Sequence, residues 1–174
     1  MYVKGTSTND IGYKGIVTAH ILRNGKKYDI AIHNNGTKFL TDTIAQALCG
    51  ESIRHRLPTF LNITYTTSGE ERHTNLLLNM IPFTAIRWEE NEAISTVTLN
   101  AIITPSDKSS VVVPDQCDMY LQMYDPSGTN LMASVMCTTN TSAEDYNDSL
   151  YQIYTSLDQG TEAIIEWKMQ FINM

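Results

Sequence analysis

The sequence has few cysteines and no long apolar runs, the features that disulfide bonds, metal clusters and membrane spans require. Its three cysteines, Cys49, Cys117 and Cys137, form no C-x-x-C pair and are odd in number. Neither a disulfide framework nor a structural zinc site is therefore expected. No apolar run is long enough to cross a bilayer, and the first ten residues lack the apolar stretch of a secretory signal. We expect no metal and no membrane partner.

Positive charge is also scarce. The chain has 12 Lys and Arg against 19 Asp and Glu, which gives a formal net charge of −7 at pH 7. A protein that binds nucleic-acid phosphates needs a basic stripe. The basic clusters at residues 23–27 and Arg54–Arg56 are too short to form one. We therefore expect no nucleic-acid partner, and the remaining composition, 42% hydrophobic and 18% charged, is that of a folded globular domain.

Catalytic motifs are missing as well. The sequence contains no G-x-S-x-G elbow, no Gly-rich phosphate loop and no calcium-binding loop. The histidines are scattered, and none has a second ligand two or four residues away; they are His20, His33, His55 and His73. The carboxylates that stand closest together lie in predicted turns; they are Glu89, Glu90, Glu92, Glu144, Asp145 and Asp148. We expect no catalytic residue, cofactor or metal, and a hydrolase is a weaker alternative that requires two of these carboxylates to face each other across a pocket.

One segment has the pattern of a helix. Apolar residues recur at spacings of three and four over Lys38–Leu48. Asn34, Asn35 and Gly36 before it are typical turn residues, and Thr37 is placed to cap the first free amides. Gly50 follows the last apolar residue, where a left-handed residue commonly ends a helix. The apolar stripe, which we expect to pack on the core of a sheet, consists of Leu40, Ile44 and Leu48.

Most of the remaining chain has the period-two alternation of strands, separated by turn signals. Asn24-Gly25 predicts a hairpin, and Asp125-Pro126-Ser127-Gly128 predicts a type I turn. The predicted strands cover 15–22, 26–33, 59–66, 83–90, 94–104, 118–124, 130–138 and 161–171, with additional short strands at 111–113 and 150–156. This order predicts a mainly β fold: an antiparallel β-sandwich or flattened barrel with one short α-helix near the N-terminus. Residues 1–13 are expected to form a polar N-terminal arm, and residues 14–174 a single domain.

Tyrosines are the side chains best suited to a binding surface. Two of them share what we interpret as the outward face of the strand at 118–124, and three follow in the next segments; they are Tyr120, Tyr124, Tyr146, Tyr151 and Tyr154. An exposed aromatic stripe can fill a protein interface or stack on sugars. The alternative is that these rings form a second buried sheet face.

Four motifs follow one another along the chain. They are HNNGT at residues 33–37, which leads into the helix; LPTFLNI at 57–63; MYLQMYDPSGTNLMA at 119–133; and EWKMQF at 166–171. Their order resembles that of minor structural proteins of tailed bacteriophages, the small β-sandwich proteins of tail, baseplate, neck and fibre assemblies. The resemblance implies a non-enzymatic protein of the virion that assembles with itself and with other virion proteins. The alternative is a glycan-binding β-sandwich module that attaches to a host surface through the tyrosines.

Overall fold

The structure, a computed structural model, describes residues 11–21, 25–31, 35–67, 69–90, 94–144 and 146–173. Within these residues strands are the commonest regular structure, and every strand pair is antiparallel. The predicted mainly β, antiparallel class is therefore confirmed. The strands are, in chain order, β1 (Ile11–Ile21), β2 (Lys26–Ala31), β3 (Asn35–Gly36), β4 (Phe60–Thr67), β5 (Thr74–Asn75), β6 (Ile81–Pro82), β7 (Ala85–Glu90), β8 (Ile94–Ile103), β9 (Cys117–Tyr124), β10 (Leu131–Thr138) and β11 (Ala163–Asn173).

The strands form two sheets. Sheet I has the order β2-β1-β11-β8-β7, and sheet II has the order β3-β10-β9-β4-β5, with β6 paired to β4. The middle parts of β8 and β11 alternate between apolar and polar residues, and the three long strands β1, β8 and β11 pair over ten or more positions in sheet I. β9 is the centre of sheet II because both of its neighbours, β4 and β10, bury alternate apolar residues with it.

Both sheets contribute to one hydrophobic cluster. Trp167 and Ile165 of β11 supply fully buried side chains from sheet I, and Leu61, Met119 and Leu121 supply them from sheet II. Burial of this apolar surface is the main favourable term in the stability of the fold. The alternate residues, whose side chains point away from this cluster, form the outward faces of the sheets. The outward face of sheet II carries a network of polar side chains.

Helix α1 covers Lys38–Leu48. The Thr37 hydroxyl oxygen accepts a hydrogen bond from the Leu40 amide at 3.4 Å and donates to the Leu131 carbonyl at 2.6 Å, so the cap also ties the helix to β10. Leu40 is buried and Ile44 packs against the core, but Leu48 is 83% exposed, so the prediction that Leu48 packs on the sheet is wrong. Each four-residue step turns about 40° around a helix, which rotates Leu48 about 80° away from Leu40.

A second helix, α2, covers Ser149–Ser156. The prediction of a strand at 150–156, and with it the prediction of a single helix, is wrong. The apolar residues in this segment follow helical spacing and are buried; they are Leu150, Ile153, Tyr154 and Leu157. The Asn147 side-chain carbonyl accepts a hydrogen bond from the Ser149 amide at 3.0 Å, which supports the first turn. The helix continues into a 3-10 turn that ends at Gly160, whose φ is 71°.

Three further predictions differ from the structure. Residues 111–113 are irregular rather than a strand, and the Val111 carbonyl accepts from the Tyr154 hydroxyl at 3.4 Å instead of a ladder amide. Asn35 and Gly36, expected in a turn, form β3 opposite Ser134 and Ala133, while Asn34 lies outside the described residues. The predicted arm at 1–13 is too long, because β1 starts at Ile11 and pairs there with Asn173; residues 1–10 lie outside the described part.

Candidate interaction surfaces

The outward face of sheet II carries two of the five predicted tyrosines. Tyr120 and Tyr124 alternate along β9 with the buried residues Met119, Leu121 and Met123, and both are half-buried. They lie four residues apart, about 13 Å along a strand. Gln122 occupies the position between them, so the two rings do not form a continuous platform.

A hydrogen-bonded polar network fills this face. Gln122 and Thr64, which lie on the adjacent strands β9 and β4, are 3% and 1% exposed. The Gln122 Oε1 atom accepts from the Thr64 hydroxyl at 3.2 Å and from the Tyr124 hydroxyl at 3.1 Å. Asn62 Nδ2 donates to Asn75 Oδ1 at 2.9 Å. A buried polar group is stable only with partners, and here the sheet provides them internally.

His73 lies over one end of the network. Its Nδ1 atom is 2.9 Å from the Thr64 hydroxyl oxygen, and its ring meets the Tyr120 ring edge-on at 4.6 Å between centroids. The Thr64 hydroxyl is thus within hydrogen-bond distance of both His73 Nδ1 and Gln122 Oε1, and its single proton serves one of these two acceptors at a time.

The segment that brings His73 to this face is itself polar. Residues Glu70 to Asn75 line an open depression of about 830 Å³, and Glu70 is held by the Thr67 hydroxyl at 2.7 Å. The short strand β5 fixes the segment by pairing with β4 at Thr64 and Tyr65. No pattern in the sequence of residues 69–75 indicates that this segment covers the outward face of the sheet. The alternation of Asn62 and Thr64 with apolar neighbours was the only available signal for the network.

The other three predicted tyrosines lie in or before α2. Tyr154 is 1% exposed, so it cannot act as an interface residue; its hydroxyl donates to the carbonyls of Leu76 and Val111. Tyr151 is half-buried, and Tyr146 is 43% exposed. Tyr146 and Tyr151 line a small cavity of about 130 Å³. The predicted tyrosine group is thus divided between sheet II and the α2 region.

Three of the six carboxylates considered for hydrolysis have described side chains: Glu89, Glu144 and Asp148. Glu89 and Glu144 are exposed, and Glu89 lies 3.7 Å from Arg87 on its own strand. Asp148 borders the small cavity and accepts from Gln152 Nε2 at 2.9 Å, and its hydrogen bond with Tyr146 raises the pKa of that tyrosine. Glu90 has no described side chain, and Glu92 and Asp145 lie outside the described residues.

The described ranges contain neither a cluster of metal ligands nor a membrane-spanning helix. No group of three or more His, Cys, Asp or Glu side chains there is arranged to hold a metal ion. No helix there is long and apolar enough to cross a membrane.

Strand β7 presents the second surface. In the β7–β8 ladder Ile86 stands opposite Leu99 and Trp88 opposite Val97, so these side chains share the core face of sheet I. Leu99 is 1% exposed, whereas Ile86 and Trp88 are 61% and 63% exposed. The core face of sheet I therefore continues onto its edge strand without a cover from any described residue. The period of two in the predicted strand at 83–90 places Ile86 and Trp88 on one face, but their exposure depends on the edge position of β7.

Comparison with protein-family models, with curated protein sequences and with solved structures found no match for this chain.

Proposed function

We propose that the chain is a non-enzymatic structural protein of a bacteriophage virion, of the tail, baseplate, neck or fibre-attachment kind. It acts by assembling with itself and with other virion proteins. We also propose that its two sheets pack face to face as a β-sandwich, because their buried side chains belong to one hydrophobic cluster.

The uncovered core face at β7 carries the assembly proposal. Trp88 and Ile86 are mostly exposed and lie on the same face as the buried Leu99. They form an apolar surface whose exposure to water is unfavourable. Large aromatic residues on such a surface are typical of protein interfaces. Val112, which is 85% exposed, and Leu78, which is 62% exposed, add apolar area elsewhere on the surface.

The polar network of sheet II also favours a role without turnover. Thr64, whose hydroxyl lies 2.9 Å from His73 Nδ1, is 1% exposed, so a substrate cannot reach it without opening the sheet face. The network thus stabilises the outward face of sheet II. The virion location itself is supported by the resemblance of the sequence motifs to tailed-phage structural proteins.

The test of the virion proposal is the composition of purified particles. The source phage would be propagated and banded by density, and peptides of this chain would be sought by mass spectrometry together with those of known virion proteins. We expect the chain at a constant ratio to the other structural proteins after repeated banding. Its loss on the second banding, or its presence only in the soluble lysate, would contradict the proposal.

The second candidate function is glycan binding at Tyr120 and Tyr124. The observation that favours it is their half-exposed position on a polar sheet face, beside the depression formed by Glu70 to Asn75. Sugars stack on aromatic rings and bond to polar side chains around them. Titration of host-surface oligosaccharides against wild type and Tyr120→Ala tests this candidate. Binding that Tyr120→Ala removes would support it, and binding unchanged by that substitution would exclude this site.

A further inference from the structure

Strand β7 combines three features that point to one kind of partner. It is the edge of sheet I, with β8 as its single strand neighbour among the described residues. It exposes Trp88 on the core face of the sheet. On the opposite face it exposes one basic and one acidic side chain, Arg87 and Glu89, which flank Trp88 symmetrically.

An unpaired edge strand offers backbone donors and acceptors to another strand. Proteins commonly protect such an edge with charges, and the charges on β7 are one basic and one acidic side chain placed on either side of Trp88. When two copies of β7 run antiparallel with Trp88 opposite Trp88 of the second copy, Arg87 of each copy stands opposite Glu89 of the other. Opposite charges directly across a ladder stabilise it, and like charges destabilise it.

The same register covers the exposed tryptophan. The two Trp88 side chains become cross-strand neighbours on one face of the joined sheet, where the distance between opposite Cβ atoms is about 5 Å. Aromatic pairs at this separation bury apolar area and pack favourably. The Arg87 Nη1 and Glu89 Oε1 atoms of one chain, now 3.7 Å apart with side chains 74% and 63% exposed, are both free to turn toward the second copy.

We propose that the chain forms a two-fold symmetric dimer through antiparallel β7–β7 pairing, with the axis at Trp88. The two copies of sheet I then form one continuous sheet. The interface is isologous, so the same strand serves both subunits and the assembly closes at two copies. This inference deepens the proposed function, since it names a second copy of this chain as the partner at the β7 surface.

The charge pattern gives a sharp test. Arg87→Glu leaves β7 with two acidic side chains at these positions, and Glu89→Arg leaves it with two basic ones. Each variant alone places like charges opposite each other twice in the two-fold register. A mixture of the two variants places an acidic strand against a basic strand, so the complementarity returns although neither chain retains its own Arg–Glu pair.

Sedimentation over a concentration series would measure the mass of each sample, with circular dichroism to verify folding. We expect wild type at twice the chain mass of 19.6 kDa, each single variant at the chain mass, and the mixture again at twice that mass. Lys168→Glu is the matched control: it reverses a charge on the interior strand β11 of the same sheet, and its mass should equal that of wild type.

A monomeric wild type would overturn the dimer, and so would single variants that keep the doubled mass. Failure of the mixture to associate would overturn the two-fold register. The proposed function fails through a different measurement, the absence of the chain from purified particles, whatever its mass in solution.

Discussion

At the scale of single residues, Asp125 shows how a buried charge can stabilise a turn. The residue is 2% exposed in the connection between β9 and β10. Its carboxylate accepts from the Ser127 hydroxyl at 2.7 Å, from the Asn130 amide at 3.2 Å and from Asn130 Nδ2 at 2.9 Å. Burial raises the pKa of Asp125, but the hydrogen bonds from Asn130 and Ser127 outweigh it, so the pKa lies below its ordinary value.

Asp125→Ala should therefore lower the free energy of unfolding at neutral pH by about 1–3 kcal/mol, because Asn130 and Ser127 lose a charged acceptor. A carboxyl group whose pKa is lower in the folded state stabilises fully above its unfolded pKa, about 4, and loses that contribution as the pH falls through the folded value. The difference in free energy of unfolding between wild type and Asp125→Ala should therefore become smaller as the pH falls. Urea unfolding at several pH values measures it, with the exposed Asp115→Ala as control; a difference constant into acid would contradict the role of the charge.

Tyr154 and Tyr146 form a second matched pair of residues. Tyr154→Phe should destabilise the fold by about 1 kcal/mol, because the carbonyls of Leu76 and Val111 lose a hydroxyl donor while the ring packing remains. Tyr146→Phe should leave stability near that of wild type, since the ring is 43% exposed. Thermal unfolding of both variants checks the prediction. Equal effects would mean that the Tyr154 hydroxyl does not contribute to folding.

At the scale of elements, α1 and α2 show what periodicity can and cannot predict. The sequence over Lys38–Leu48 is long enough for spacings of three and four to indicate a helix, and Thr37 and Gly50 mark its ends. The sequence of α2 covers only Ser149–Ser156, and a short apolar run fits a strand or a helix equally well. Including Leu157 reveals the helical spacing, because it lies seven residues after Leu150.

Two leucines of α1 test which part of its stripe contributes to the core. Leu40→Ala should lower the free energy of unfolding by about 2–5 kcal/mol, as truncation of a buried leucine does. Leu48→Ala should change it by about 0.5 kcal/mol or less, since Leu48 is 83% exposed. Both substitutions remove the same atoms from the same helix, so the comparison isolates burial. Urea unfolding measures the two changes, and equal losses would contradict the described orientation of α1.

At the scale of the whole molecule, local alternation predicts where strands form, whereas the burial or exposure of their side chains depends on which strands pair. β8 and β11 were predictable because Leu99, Ala101, Ile165 and Trp167 alternate with polar residues over long runs. The burial of Thr64 could not be predicted, because it depends on β4 lying beside β9 and on His73 reaching the outward face of sheet II. The exposure of β7 likewise follows from strand order, which no local pattern contains.

The two sheets should unfold as one unit. Trp167 reports on sheet I and Cys137 on sheet II; both are at most 1% exposed. Burial raises the pKa of the Cys137 thiol to about 12, so the folded form has almost no reactive thiolate at pH 8. In a Trp88→Phe, Cys49→Ser variant, Trp167 is the remaining tryptophan, and the remaining thiols, Cys117 and Cys137, are buried.

Because both sheets share one hydrophobic cluster, neither can lose its partner and keep its own apolar face covered. We therefore expect the tryptophan emission and the thiol reactivity of this variant to change at the same urea concentration, as in a cooperative two-state transition. Wild type, in which Cys49 is exposed, should show one thiol that reacts before unfolding. Release of the buried thiols at a lower urea concentration than the Trp167 transition would mean that sheet II unfolds alone, and the proposed face-to-face packing would then be wrong.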